Sequence, residues 1–360
     1  MALSDNTSFI KNGPPINGIQ HVKDSLLEIE DDGDTSTTGS LQSERGRVAS
    51  ITGGWDRLDT DSMGDITWTE GTRTFSIAPK AAQPNFHFWS NGNYYEKTSA
   101  ESIIIPDVGG TYYVYYDTDG ALQSVLDTEF AGDLFRTVAI TALCYYNATE
   151  ETIWPASDEQ HGIMMDSATH LRLHLVEGAV FIQGLLISGL EDGESTYTST
   201  ALGLVADEDI NLMTSLASTH SFIYRDGAAG EWRETALDNE CGHVVSGDTE
   251  ISWNENTSGT VWQLTEATSS TDYVIMFFVW TNLTNGHIKK IVGQQTYSSR
   301  SNARNGIKNE LTAIELAGLP SSETTFLYAY ICKDNGDVED DGDGNDYVDL
   351  RKTKGYNLPD

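Results

Sequence analysis

A mainly β fold is predicted for this 360-residue chain by three observations. Residues suited to a pleated, half-buried surface are frequent, with 16 Tyr, 11 Phe and 8 Trp. Apolar residues come in short runs punctuated by Gly, Asn and Asp, as strands and turns require. Beyond the first fifty residues, only the stretch near 300–315 repeats its apolar residues at helical spacing. The expected architecture is two or three β-sandwich or jelly-roll-like modules, an extended N-terminal arm and one short helix.

Residues 1–50 hold "NGPPING", the acidic run "EIEDDGD" and "TSTTGS". They read as an extended anchoring arm whose only apolar cluster is "IQHVKDSLLEIE" at 19–30. A first β-domain is expected at 51–190. "DITWTEGTRTFSIAPK" (65–80) reads as two strands around Glu70–Gly71. "NFHFWSNGNYYEKT" (85–98) reads as a hairpin, because Asn91–Gly92 suits the positive φ angles of a type I′ turn. In "TYYVYYD" (111–117) successive side chains point to opposite faces, so both faces are aromatic. Such a strand needs cover on both sides, from a second sheet or a neighbouring subunit. "TVAITALCYYN" (137–147) and "AVFIQGLLIS" (179–188) follow as strands.

The polar, turn-rich stretch 191–215 reads as a hinge, although "TALGLVADEDI" within it has strand character. A second β-domain is expected at 216–360. Its strands include "HSFIYRDG" (220–227), "TEISWN" (249–254), "TVWQLTEA" (260–267), "YVIMFFVWTNL" (273–283) and "TTFLYAYICKD" (324–334). The helix near 300–315 has Ala303, Ile307, Leu311 and Ile314 on one face, with Ser299 or Ser301 as its cap. An acidic C-terminal loop closes the domain.

Fifty-five acidic against 21 basic residues leave a net charge of −34. A surface of that sign repels phosphates, so no nucleic acid partner is expected. The three cysteines form neither a disulfide framework nor a zinc knuckle and read as small buried residues. The start, "MALSDNTSFIKNGPP", lacks a basic region ahead of an apolar core, so a soluble chain made in a cytoplasm is expected. The most apolar run, "YVIMFFVW" (273–280), is far shorter than the roughly 20 residues of a membrane helix, so no membrane insertion is expected.

"DEQHGIMMDSATHLRLHLVEG" (158–178) carries His161, His170 and His174. A zinc peptidase places a Glu directly after the first histidine of an i, i+4 pair, whereas Leu171 follows His170. The alternation in "THLRLHLVEG" suggests a strand, which would set His170 and His174 roughly 13 Å apart, too far to share one ion within a subunit. Hydrogen bonding inside turns and sheets is the expected role. No GxSxG elbow or telling Cys is present, so no catalytic residue is assigned.

In "DNGDVEDDGDGNDYVD" (334–349), Asp337, Glu339, Asp341 and Gly342 match the opening of a calcium loop. Position 12 is Val348 rather than Glu, so an EF-hand fails. Asp337, Glu339, Asp341 and Asp343 are the candidate ligands of a looser Ca2+ cage; the alternative is a solvated loop. Trp253 and Trp262 are candidates for a glycan platform or for core.

The ordered series "HG", "MD", "TH", "LHL…G" and Gly184 resembles a module of tailed-bacteriophage structural proteins of the tail-fibre or appendage type. The hairpin with "YYVYYDTDGAL", "GQQTY" (293–297), "ARNG…E" (303–310), "LAGLPSSETTFLYAYI" (316–331) and "DYVDLR" (346–351) extend that resemblance over about 65–351. Relatives of this type often carry a long shaft, and here a fifty-residue arm stands in its place. The resemblance implies a virion protein without catalytic residues: a homotrimeric tail fibre or baseplate appendage, held to other virion proteins by residues 1–50 and facing host surface glycan or solvent. A head fibre or capsid decoration protein is the alternative placement. A polysaccharide depolymerase tailspike is the enzymatic alternative, and it needs two carboxylates across a sugar bond.

Overall fold

The computed structural model describes residues 64–81, 83–127, 137–158, 167–207, 210–245, 248–269, 272–283, 287–319, 323–340 and 344–351. The arm expected at 1–50 lies outside them. The described residues are mainly β, in several sheets and without a closed barrel.

Strands β1 (Gly64–Thr69), β2 (Thr74–Pro79), β3 (Phe86–Ser90), β4 (Asn93–Lys97) and β5 (Glu101–Ile104) open the chain. β1, β2 and β5 form one sheet, and β3 and β4 form the expected hairpin. Asn91 and Gly92 have φ of 50° and 76°, the paired positive values a type I′ turn needs. Next come β6 (Gly110–Tyr116), β7 (Leu122–Leu126), β8 (Ala139–Asn147) and β9 (Thr152–Asp158), a four-stranded antiparallel sheet in the order β7-β6-β8-β9.

Helix α1 (Ser167–Arg172) runs into a π-helical turn at Leu173–Glu177. This corrects the strand reading of "THLRLHLVEG". Alternating Leu fits either period over so few residues, and Leu and Arg favour helix. Gly178, at φ 54°, ends the turn by donating its N–H to Leu173 O at 2.7 Å.

The remaining strands are β10 (Ala179–Gly184), β11 (Ile187–Ser188), β12 (Ser199–Thr200), β13 (Gly203–Asp207), β14 (Ile210–Thr214), β15 (Phe222–Asp226), β16 (Glu231–Glu234), β17 (Ser252–Asn256), β18 (Trp262–Glu266), β19 (Tyr273–Thr281), β20 (Ile288–Ile291), β21 (Thr296–Tyr297), β22 (Thr324–Lys333), β23 (Val338–Glu339) and β24 (Val348–Asp349). Residues 191–215, expected as a hinge, thus contain three strands, and β13 sits between β10 and β14 in a small sheet. The largest sheet runs β16-β15-β20-β19-β22-β23, with β21 added on β19 and β24 on β22. Helix α2 (Arg300–Ala313) begins where expected. Ser299 is its cap and accepts the Asn302 N–H at 3.2 Å, and Ala303, Ile307 and Leu311 are buried.

The apolar cores are layered. Tyr112, Val114 and Tyr116 of β6 face a core with Phe75, Phe86 and Phe88. From the other face, Tyr113 enters a second core with Trp154, Trp232, Ile275, Phe277 and Ile307. Val274, Met276, Phe278 and Trp280, on the opposite face of β19, join Tyr328, Tyr330 and Phe222 in a third. The doubly aromatic strands are therefore covered on both faces by this chain itself. Cover by a neighbouring subunit, the other way to satisfy them, is not required.

The middle core joins the halves of the sequence. Trp232 receives the Tyr145 OH close to its backbone, its N–H donating to that oxygen at 2.8 Å. Its indole N–H donates to Ala317 O at 3.0 Å, and the Asn147 amide donates to Trp232 O at 2.8 Å. Trp232→Ala should lower unfolding stability by about 3–5 kcal/mol. Because both halves share this core, urea denaturation followed by tryptophan fluorescence and far-UV circular dichroism should show the two signals shifting together. A shift confined to one signal would contradict a shared core.

Candidate functional site

The histidine segment reaches the interior through α1. Leu171 packs on the middle core, and His174, three residues on, is buried. Its Nε2 lies 3.4 Å from Tyr113 OH, and its Nδ1 lies 3.8 Å from Glu323 Oε1. Asn282 donates to Asp207 Oδ2 at 3.1 Å and to Glu323. His174, Glu323, Asn282 and Asp207 are all buried. They converge from α1, the approach to β22, the exit of β19 and the end of β13. Burial pushes the Asp127 carboxyl up, opposed by His174. His170 lies in α1, about one turn before His174 in the π-helical turn that continues it. Helical rather than strand spacing therefore separates the two histidines, and Leu171 still occupies the position where a zinc peptidase has Glu.

A second polar knot escaped the reading of the sequence. Both lysines of "IKKI" in β20 are buried. Lys289 pairs with Glu234 and donates to Ser221 Oγ at 3.2 Å. Lys290, across the strand, meets Asp238 Oδ1 at 2.6 Å and Glu240 O at 2.8 Å, with its Nζ 3.8 Å from the Phe222 ring centroid. Burial pushes Lys290 down, against the pull of Asp238. Nearby, His220 Nδ1 lies 2.6 Å from Tyr197 OH and its Nε2 lies 3.0 Å from Thr200 Oγ1. Burial, reinforced by Lys290 and Lys289, lowers His220 to about 3. The available signal was a charged pair flanked by Ile on both sides, which marks a strand too apolar to be exposed.

The third knot is built on α2. Glu310 accepts the Gln294 N–H at 2.6 Å and the Tyr297 OH at 3.0 Å. Burial raises its carboxyl to about 7 against those hydrogen bonds. Gly306 faces the Tyr297 ring so closely that a Cβ would lie 2.3 Å from Cε1, which explains a glycine in mid-helix.

At the acidic C-terminal stretch, the Asp337 carboxylate accepts from the Asn335 amide at 2.5 Å within the β22–β23 turn. Glu339 faces Lys333 Nζ at 3.7 Å and Arg300 Nη1 at 3.8 Å. Asp341 and Asp343 lie outside the described residues, so the four candidate calcium ligands are not seen together. Among the described residues, no group of three or more His, Cys, Asp or Glu is arranged to hold a metal ion. Trp262 is buried under Arg225, whose guanidinium carbon lies 4.6 Å from its ring centroid. Trp253 is half-buried beside the third core. The three cysteines are buried free thiols. No helix among the described residues is long and apolar enough to cross a membrane.

Several motif residues act as clamps between distant segments. Arg351 of "DYVDLR" binds both Asp349 oxygens, at 2.9 and 2.6 Å, and donates to Gly184 O at 2.7 Å. "GQQTY" supplies Gln294 and Tyr297 to Glu310. "LAGLP" supplies the carbonyls of Ala317 and Gly318 to Trp232 and Thr111. Comparisons with family models, with curated proteins and with solved structures find no match to this chain.

Two opposite pH effects follow. His220 falls from an ordinary 6.5 to about 3 on folding, so its stabilising contribution is complete above about pH 6.5 and is lost as pH falls towards 3. Glu310 rises from 4.5 to about 7, so its contribution is complete below about pH 4.5 and is lost as pH rises through 7. Each is worth on the order of 3–5 kcal/mol at its limit. Thermal melts should show His220→Gln losing less stability than the parent between about pH 7 and 4. Glu310→Gln should gain on the parent between about pH 5 and 8. Parallel curves for parent and variant would contradict either assignment.

Proposed function

We propose that this chain is a non-enzymatic structural protein of a tailed-phage particle, a homotrimeric tail-fibre or baseplate appendage. Residues 1–50 fix it to other virion proteins, and the β-rich body faces the host or solvent. The observation that carries the reading is what the motif residues do. Arg351, Gly184, Gln294, Tyr297, Glu310, Ala317 and Gly318 are spread over the chain, and each clamps one segment of the body to another, while Asp349 orients Arg351 locally. Residues that carry the resemblance thus serve rigidity, which suits a part that transmits force. The buried ion pairs of Lys289 and Lys290 support the same reading. Removing one partner of such a pair is strongly destabilising, so they hold their strands in one arrangement.

The negative surface fits an assembled particle in saline surroundings, where salt screens repulsion between copies. Deleting residues 1–50 should abolish incorporation into particles while the circular dichroism of the body is kept. Truncated protein that enters particles as well as the full chain would overturn the anchoring role. Incubation with host polysaccharide should release no reducing sugar, and release would contradict the non-enzymatic assignment.

A further inference from the structure

The small β10-β13-β14 sheet has one covered face and one open face. Phe181, Val205 and Leu212 point inward to the third core. Leu204 and Met213 are paired directly across the strands and point the other way. On and around this outer face, Met213 is 72% exposed, Leu216 67%, Leu202 61%, Leu186 57% and Ile182 49%. Backbone bonds bring the flanking residues alongside: Leu185 N–H donates to Leu202 O at 3.2 Å, and Ala201 N–H donates to Leu186 O at 2.7 Å. Five of the largest exposed apolar side chains therefore share one region, whereas single exposed leucines scattered over a surface need no explanation.

Its charge sets this region further apart. Residues 178–190, 195–206 and 210–224 contain no Asp, Glu, Lys or Arg, in a chain that is 21% charged. A protein with a net charge of −34 repels its own copies everywhere except where its surface carries no charge. An uncharged apolar face offers nothing to a basic partner, and among the described residues it is a surface on which two such copies can meet with little like-charge cost. The five side chains expose roughly 500 Å2, and the half-buried Val180, Leu204 and Ala206 extend the face towards, but short of, the ~800 Å2 per partner of a standard interface.

We propose that the outer face of the β10-β13-β14 sheet is the surface through which copies of this chain associate. The inference rests on the homotrimer reading and names its interface. Like an apolar contact between acidic bodies, the association tightens as salt rises from about 50 to about 500 mM, the reverse of a charge-driven contact.

Sedimentation and light scattering of the full chain, the double variant Leu202→Glu/Met213→Glu, the remote control Ile104→Glu and the 1–50 deletion test this. The parent, the control and the deletion should be oligomeric. The double variant should be monomeric or associate roughly a hundredfold more weakly, with the parent's circular dichroism spectrum kept. A double variant that stays oligomeric would overturn the interface while leaving the homotrimer reading intact. A monomeric parent would overturn both. Oligomers lost in the deletion but kept in the double variant would assign assembly to the arm and overturn the sheet face.

Discussion

The fold depends on the need to bury both faces of its central strands. β19 and β22 pair in register from Tyr273↔Lys333 to Thr281↔Thr324, with one bulge at Phe278/Val279. Alternate residues of each strand enter different cores: Ile275 and Phe277 on one side, Met276 and Phe278 on the other. A sheet apolar on both faces is stable only as an inner layer. The β6–β8 sheet and α2 cover one face, and the β10–β14 segments together with residues from 241–267 cover the other. β6 faces the same requirement, with Tyr113 turned to the middle core and Tyr112 away from it. The layering of three cores follows from two such strands lying back to back.

Within that layering, polar groups are admitted only where they are answered. Lys290 is held by Asp238 and the Glu240 carbonyl, Glu310 by Gln294 and Tyr297, and His220 by Tyr197 and Thr200. Each knot ties segments far apart in sequence and narrows the number of ways the sheets can stack. Burial shifts the proton affinity of these groups too, lowering Lys290 and His220 and raising Glu310. Such shifts often mark reactive sites; here they come with fixed hydrogen-bond and ion-pair partners.

How much of this was legible depends on the range of each signal. The Asn91–Gly92 turn and the Ser299 cap with its 303, 307, 311 stripe are local and were readable. Two-sided burial was also readable from "TYYVYYD", because alternation alone assigns its aromatics to opposite faces. Which layer covers which face was not readable, since that is decided by contacts between residues such as Tyr145 and Trp232. His174 was misplaced because alternating leucines satisfy a short strand and a short helix equally. Lys289 and Lys290 carry a sign of burial in the Ile residues on either side, whereas their partners Glu234 and Asp238 are not readable, because they come from other strands and loops. The stretch 191–215 was read through its turn residues, while pairing of β13 with β10 and β14 makes it part of the third core's wall.

The central claim is that one chain covers both faces of its own inner strands. Hydrogen–deuterium exchange, read at residues 139–147, 273–281 and 324–333 over a wide range of protein concentration, tests it most directly. These three strands should form the slowest-exchanging class together, with protection that does not change on dilution. Loss of protection on dilution in β19 or β22 would mean that a neighbouring copy, rather than the chain itself, completes the core.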